Sequence, residues 1–259
     1  MNVYKLNKYC LKRVRDYQKL DIYGREVITP YYINIIERHF VLLMRGAKIK
    51  RETIEKVRSL YKKRKIPYGW YRGKGTPEEI SKATVNISES VGLSLKDSNP
   101  EVIQEFMKLY GLGIDCSGFV YNVLEYSLIK AGDSRLLVNI LDWTDSITKD
   151  VFNAGSRVFA GKASIIINLK DIIPLDLILI RSQKTNRYVH VALILNNEET
   201  NQLIVSQSTL TNYPTGVKTN HLKIENNLPL FGYKPEIGLS WEELYHKGNL
   251  EFRRLLWKD

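Results

Sequence analysis

Residues that staple or metallate a small fold are scarce in this sequence: 259 residues hold only two cysteines, Cys10 and Cys116, and four histidines. Two cysteines exclude a disulfide framework and a four-cysteine zinc site. No two histidines stand three or four residues apart, so no helical histidine pair offers itself to a metal. The expectation is a metal-free site that needs no cofactor. Long apolar runs are missing as well. The opening MNVYKLNKYCLKRVRDY lacks the stretch a secretory signal needs, and nothing downstream reaches a transmembrane span. A chain with a native Met1 is then expected in the cytoplasm, and one that has lost a signal in the cell envelope or outside the cell. Repeats and low-complexity tracts are also absent, and 44% hydrophobic with 26% charged residues leaves intrinsic disorder without a compositional basis.

Acidic charge is in short supply. Lysine and arginine total 39 against 28 aspartates and glutamates, a net +11, which favours polyanionic surroundings such as nucleic acid, anionic lipid or anionic cell-wall polymers. The densest basic run, Lys48 to Lys65, contains Tyr61 as its one aromatic residue. It reads as a solvated helix face and carries no specific nucleic-acid motif.

The pattern along the chain is helical first and extended later. Ile33, Ile36, Phe40, Leu43 and Met44 fall at helical spacing between Pro30 and Gly46, and Ile54, Val57, Leu60 and Tyr61 do so between Thr53 and Lys65. Residues 1–65 therefore read as a helical N-terminal appendage, and 66–259 as the main domain. Pro67 to Gly75, PYGWYRGKG, reads as a loop. Thr76 with Glu79 forms a capping box, and Asn99 with Pro100 opens a short helix running toward Tyr110. A longer helix is predicted from Cys116 to Lys130, with Phe119, Val120, Val123, Leu124 and Leu128 on a broad buried face. After it come short Val, Ile and Leu runs at Asp176 to Arg181, Val189 to Leu195 and Leu203 to Ser206, which read as an antiparallel sheet. The fold class is α+β.

Chemistry concentrates in GLGIDCSGFVYNVLEYS. Asp115 is a natural N-cap, and Cys116 then falls on the first helical turn. Unpaired N–H groups and the helix dipole there should lower the thiol pKa, favour thiolate and stabilise an oxyanion. Gly113 and Gly118 would let a peptide backbone approach the sulfur. His190, 74 residues downstream, heads the apolar strand HVALIL and is suited to act as base. On the following run, LIVSQST, Gln207 can orient the imidazole through its amide oxygen. Ser206 is the competitor if the strand register slips by one. His39 and His246 read as structural or solvated, while His221 could line a cleft.

DCSGFV, IIPLDLILI and HVALIL, in that order, resemble three successive motifs of the NlpC family of bacterial cell-wall cysteine peptidases. The family's proline-glycine-aspartate turn stands here as Pro174, Leu175 and Asp176, and Pro67 with Tyr68 is similar to a proline-tyrosine pair upstream of the family's cysteine. FRRLLW resembles the family's closing basic strand. The likeness spans about 66–257, with insertions near 72–110 and 132–168.

The resemblance implies a papain-like domain in which a nucleophile-bearing helix packs on an antiparallel sheet. It also implies thiol-protease chemistry with Cys116, His190 and a third polar group. The implied substrate is a peptidoglycan stem peptide or muropeptide, cleaved at a D-glutamyl–diamino acid bond. In some members a tyrosine with the aspartate and serine beside the cysteine holds the substrate's free amine. The matching positions are Tyr68, Asp115 and Ser117, so a preference for free amino termini is expected. Other amidase or acyltransferase chemistry on the same fold, or a catalytically silent wall-binding module, are the competing readings.

Overall fold

The computed structural model describes residues 2–32, 73–133, 135–144, 149–210, 216–231 and 239–257. The helices expected between Pro30 and Lys65, His39, and the Pro67–Tyr68 pair lie wholly or largely outside these residues.

Helix α1 (Val3–Gln18) starts at Asn2, whose side chain accepts from the Lys5 N–H, and leads into a short hairpin of β1 (Leu20–Ile22) and β2 (Arg25–Val27). Leu6, Cys10, Leu11, Val14 and Tyr17 from α1, with Leu20, Ile22 and Val27 from the hairpin, belong to the same apolar core as the helices and sheet that follow. Residues 2–27 are thus part of the main body, where the sequence suggested an appendage. Arg13 fastens α1 by a bidentate pair to Glu78, at 2.6 and 2.8 Å.

Helix α2 (Pro77–Ser90) begins with the expected Thr76/Glu79 capping box. Helix α3 (Pro100–Leu109) begins at Asn99, as its N-cap signal indicated. The central helix α4 (Cys116–Ala131) buries Phe119, Val120, Val123, Leu124 and Leu128 and ends at Gly132, which takes the left-handed φ of 73°. A single-turn helix α5 (Leu137–Ile140) follows.

The remainder is mostly sheet. Strands β3 (Ser164–Ile166), β4 (Leu177–Arg181), β5 (Tyr188–Asn197), β6 (Gln202–Thr209), β7 (Gly216–His221) and β10 (Leu250–Leu255) make one six-stranded antiparallel sheet in the order β3-β10-β4-β5-β6-β7. A side hairpin pairs β8 (Lys223–Glu225) with β9 (Leu228–Leu230), and helix α6 (Trp241–His246) is capped by Ser240 and Glu243.

The sheet is covered on both faces. Leu177, Leu179, Val191, Leu193 and Leu195 face α1 and α4, while Ile178, Ile180, Ala192, Ile194 and Val205, with Phe252 of β10, form the other face and pack with Phe231 and Trp241. Double-sided burial explains why LILI and VALIL are continuous apolar runs without the alternation of a half-solvated strand. This is a mixed α and β architecture with a six-stranded antiparallel sheet, and no described helix is long and apolar enough to cross a membrane.

At the turn into β4, Leu175 adopts φ 76°, a left-handed conformation that glycine takes without penalty and leucine does not. Its side chain is buried in the main core, which offsets the strain. Next to it, the buried Asp176 accepts from the Ile173 N–H at 2.7 Å and from two Arg254 nitrogens at 2.8 Å each, tying the turn to β10.

Candidate active site

Three separate parts of the chain fix the approach to α4. The Ile114 N–H donates to the Pro30 carbonyl at 3.1 Å, the Tyr32 N–H donates to the Ile114 carbonyl at 3.1 Å, and the Asp115 N–H donates to the Gly73 carbonyl at 3.0 Å. Ser208 Oγ donates to the same Ile114 carbonyl at 2.7 Å, anchoring the helix start to β6. These close approaches account for two glycines. A Cβ on Gly113 would stand 2.5 Å from the Pro30 oxygen, and one on Gly118 would stand 2.4 Å from the Gly73 oxygen. The backbone that Gly113 and Gly118 admit is the protein's own.

Asp115 caps the helix as expected, accepting from the Gly118 N–H at 2.6 Å. Cys116 follows on the first turn, 6% exposed. Strands β5 and β6 pair from Asn197–Gln202 up to Leu193–Ser206 and no farther, although β5 remains paired with β4 and β6 with β7 beyond that point. The sheet therefore forks. The start of α4 sits at this fork, with the Val191 N–H of β5 directed at the Cys116 sulfur and Ser208 of β6 holding Ile114.

His190 lies at the same end of β5, and its Nε2 is 2.8 Å from Gln207 Oε1 on β6. An amide oxygen only accepts, so the ring proton is on Nε2 and Nδ1 keeps a lone pair. Among the described residues Nδ1 makes no hydrogen bond, and none joins the ring to the sulfur. The Trp241 ring meets the imidazole edge-on, with centroids 5.8 Å apart.

Register separates the two candidates for the orienting group. Gln207 follows Val205 on the sheet face that carries Ala192 and Trp241. Ser206 points to the other face, where its Oγ is 3.1 Å from Thr219 Oγ1.

The electrostatics depart from the sequence-based expectation. Burial pushes the Cys116 thiol up to about 11, and the Asp115 carboxylate adds to the rise. The Val191 and Ser117 N–H groups and the Lys74 charge oppose the shift without cancelling it. Burial likewise pulls His190 down to about 4, against the Gln207 hydrogen bond and the Asp115 charge. Both shifts favour the neutral forms, thiol and imidazole, over thiolate and imidazolium. A helix N-terminus does favour thiolate, but here desolvation of the sulfur is the larger effect.

The expected amine-binding residues come together around an ammonium that belongs to the chain. Lys74 Nζ lies 2.7 Å from both Asp115 carboxylate oxygens, 2.7 Å from Ser117 Oγ and 2.7 Å from the Ala154 carbonyl. Ser117 also donates to Asp115 Oδ1 at 3.0 Å. Tyr68 lies outside the described residues. The tyrosine beside this cluster is Tyr31, whose phenol is held up by burial and by the neighbouring Cys116 and Asp115.

The other titratable candidates lie apart. Cys10 is buried against Ser127, Sγ to Oγ 3.0 Å, and burial lifts its thiol to about 12. His221 is exposed and pairs with Ile204, three pairs along the β6–β7 ladder from Gln207. His246 is exposed at the end of α6.

Sequence reasoning missed Lys74, Tyr31 and Trp241. The Ser240/Glu243 capping box could have placed Trp241 on a helix. Lys74 acts across a gap of 41 residues, and no local pattern announces such a contact. Comparison with known proteins adds no identification: no family model, no curated protein and no solved structure matches this chain.

Proposed function

We propose that the chain is a papain-like cysteine hydrolase that cleaves peptide bonds in cell-wall stem peptides. The observation that carries this reading is the forked sheet, with Cys116 at the helix start within it and His190 hydrogen-bonded to Gln207 at the same end. Separated strands give a helix-borne sulfur and a strand-borne imidazole a common space that a continuous ladder would close.

In the cycle, the substrate carbonyl is attacked by the Cys116 sulfur as its proton passes to His190 Nδ1. The resulting imidazolium is stabilised by Gln207 and protonates the departing amine, leaving an acyl thioester. Water, deprotonated by the same nitrogen, then releases the acid and frees the thiol. Because the resting pair is neutral, His190 works as a true general base during attack. The Cys116 N–H has no acceptor among the described residues and would be the donor to the oxyanion, where one well-placed donor contributes about 3 kcal/mol.

The substrate class rests on the resemblance of DCSGFV, IIPLDLILI and HVALIL to NlpC peptidases, with the D-glutamyl–diamino acid bond as the target. The basic surface suits an anionic wall polymer. One observation favours a second reading, a silent wall-binding module: the sulfur is buried and its thiol is held protonated. Incubation with defined muropeptides, read by mass spectrometry, separates them. New fragments that appear with the wild type and vanish with Cys116→Ala support the hydrolase. Intact muropeptides with both proteins would leave the binding module.

A further inference from the structure

Asp115 needs no lysine to cap α4, because its contact with the Gly118 N–H fulfils that role. Burying an ion pair is also a poor route to stability compared with apolar packing. Yet Lys74 is 5% exposed in its side chain, and its ammonium meets a carboxylate and a hydroxyl from the start of α4 and a carbonyl from Ala154. Those are the groups that a bound alkylammonium would require. The lysine stem is accommodated too: a Cβ on Gly118 would lie 2.8 Å from Lys74 Cδ, so the first turn of α4 is bare where the stem crosses it. The cradle flanks Cys116 on both sides in sequence, through Asp115 and Ser117.

We propose that Lys74 is a specificity-determining residue whose ammonium fills a cation subsite beside Cys116, so that the enzyme takes acyl chains bearing no free amine at that position. Its substrates would be N-blocked or internal segments of a polymer, and free amino-terminal fragments would be disfavoured. The specificity part rests on the hydrolase reading above; the filling of the subsite does not. A free substrate ammonium entering here would find its carboxylate already neutralised and would meet a like charge.

Lys74→Ala deletes Cγ, Cδ, Cε and Nζ, the outline of n-propylammonium. Thermal unfolding is measured with n-propylammonium chloride, with tetramethylammonium chloride as the ionic control. The expected result is a rise in Tm for Lys74→Ala with n-propylammonium alone and no such rise for the wild type or for Lys74→Met, whose thioether stem occupies the channel. If Lys74→Ala does not fold alone, its refolding yield with and without n-propylammonium gives the same readout. A variant that n-propylammonium helps no more than it helps the wild type would overturn the assignment.

The second readout is the kcat/KM ratio for N-acetylated against free-amine stem peptides. Wild type should favour the acetylated peptide about tenfold, and Lys74→Ala should reverse the preference by a similar factor. A wild type that favours the free amine would refute the specificity. Failure of the hydrolase reading would look different, as no product from either peptide, with the n-propylammonium result still deciding whether the subsite exists.

Discussion

On one flank of Cys116 the polar groups are saturated: Lys74, Asp115, Ser117 and the Ala154 carbonyl satisfy one another within 3.0 Å. The cluster around His190 is sparsely bonded. There His190 has one hydrogen bond, to Gln207, and Trp241 against the ring edge, with Nδ1 uncommitted among the described residues. Saturation suits groups that hold a helix start in place, since any later loss of a partner strands a charge. An uncommitted imidazole lone pair suits a group that must accept a proton. The two polar clusters of the candidate site therefore have different energetic character.

Substitution on each flank should expose that difference most strongly. Asp115→Ala removes the cap and leaves the Lys74 ammonium buried without its carboxylate. Because Asp115 is 22% exposed, the lower end of the range for breaking a buried pair applies, a loss of about 3 kcal/mol. His190→Ala should cost about 1 kcal/mol through its contact with Trp241, while lowering kcat by about a thousandfold or more. Denaturant titration and turnover of a defined muropeptide measure the two. Similar stability losses at both positions would erase the contrast between the flanks.

The sequence made one flank more legible than the other, for reasons of range. Asp115 and Cys116 are neighbours, and a cap followed by an apolar helical face is a local signal. His190 heads a strand whose apolar run is visible in the six residues HVALIL, and Gln207 needed only the correct register. Thr76 and Asn99 were readable as caps for the same reason. Lys74, by contrast, reaches its partners from a glycine-rich loop, and its significance depends on where Gly118 and Ala154 fall in space. The pKa pattern was also hidden: helix position can be read from sequence, but burial of the sulfur follows from how Pro30–Tyr32, Gly73–Lys74 and the forked sheet enclose it. Leu175 shows the converse. The resemblance places glycine at that position, the backbone takes a glycine-like φ, and leucine remains because its side chain is buried.

Acid sharpens the comparison next. With its folded pKa at about 4 against an ordinary 6.5, His190 is protonated more readily in the unfolded chain. Its contribution is fully present above pH 6.5 and is lost as pH falls from 6.5 toward 4. The full shift corresponds to about 3 kcal/mol, and partial exposure of the residue reduces this to about 2 kcal/mol. Denaturant titrations at pH 7 and pH 4.5 should show that loss in the wild type and a smaller one in His190→Gln. The thiol gives a kinetic counterpart. Held up at about 11, Cys116 should react slowly with iodoacetamide at pH 5 to 6 and faster as pH rises. Rapid alkylation in acid would instead reveal a thiolate–imidazolium pair and remove the neutral resting state.

The smallest effect tests the open flank alone. Gln207 holds Nε2 and so selects the tautomer that leaves Nδ1 as base, yet it makes no bond to the reacting atoms. Gln207→Ala should lower kcat about ten- to a hundredfold with KM nearly unchanged, less than loss of His190, because unoriented imidazole still visits the productive state. Ser206→Ala is the matched control one residue away. Its hydroxyl faces Thr219 on the other side of the sheet, so the expected result is a rate within about twofold of wild type and a stability loss of about 1 kcal/mol. Gln207→Glu adds a readout that packing alone would not move: an anionic acceptor at the same place raises the imidazole pKa and shifts the acidic limb of the kcat profile to higher pH. A larger kinetic loss at Ser206 than at Gln207 would mean that the working register differs by one residue from the observed ladder. The imidazole would then be oriented from the face that carries α1 and α4.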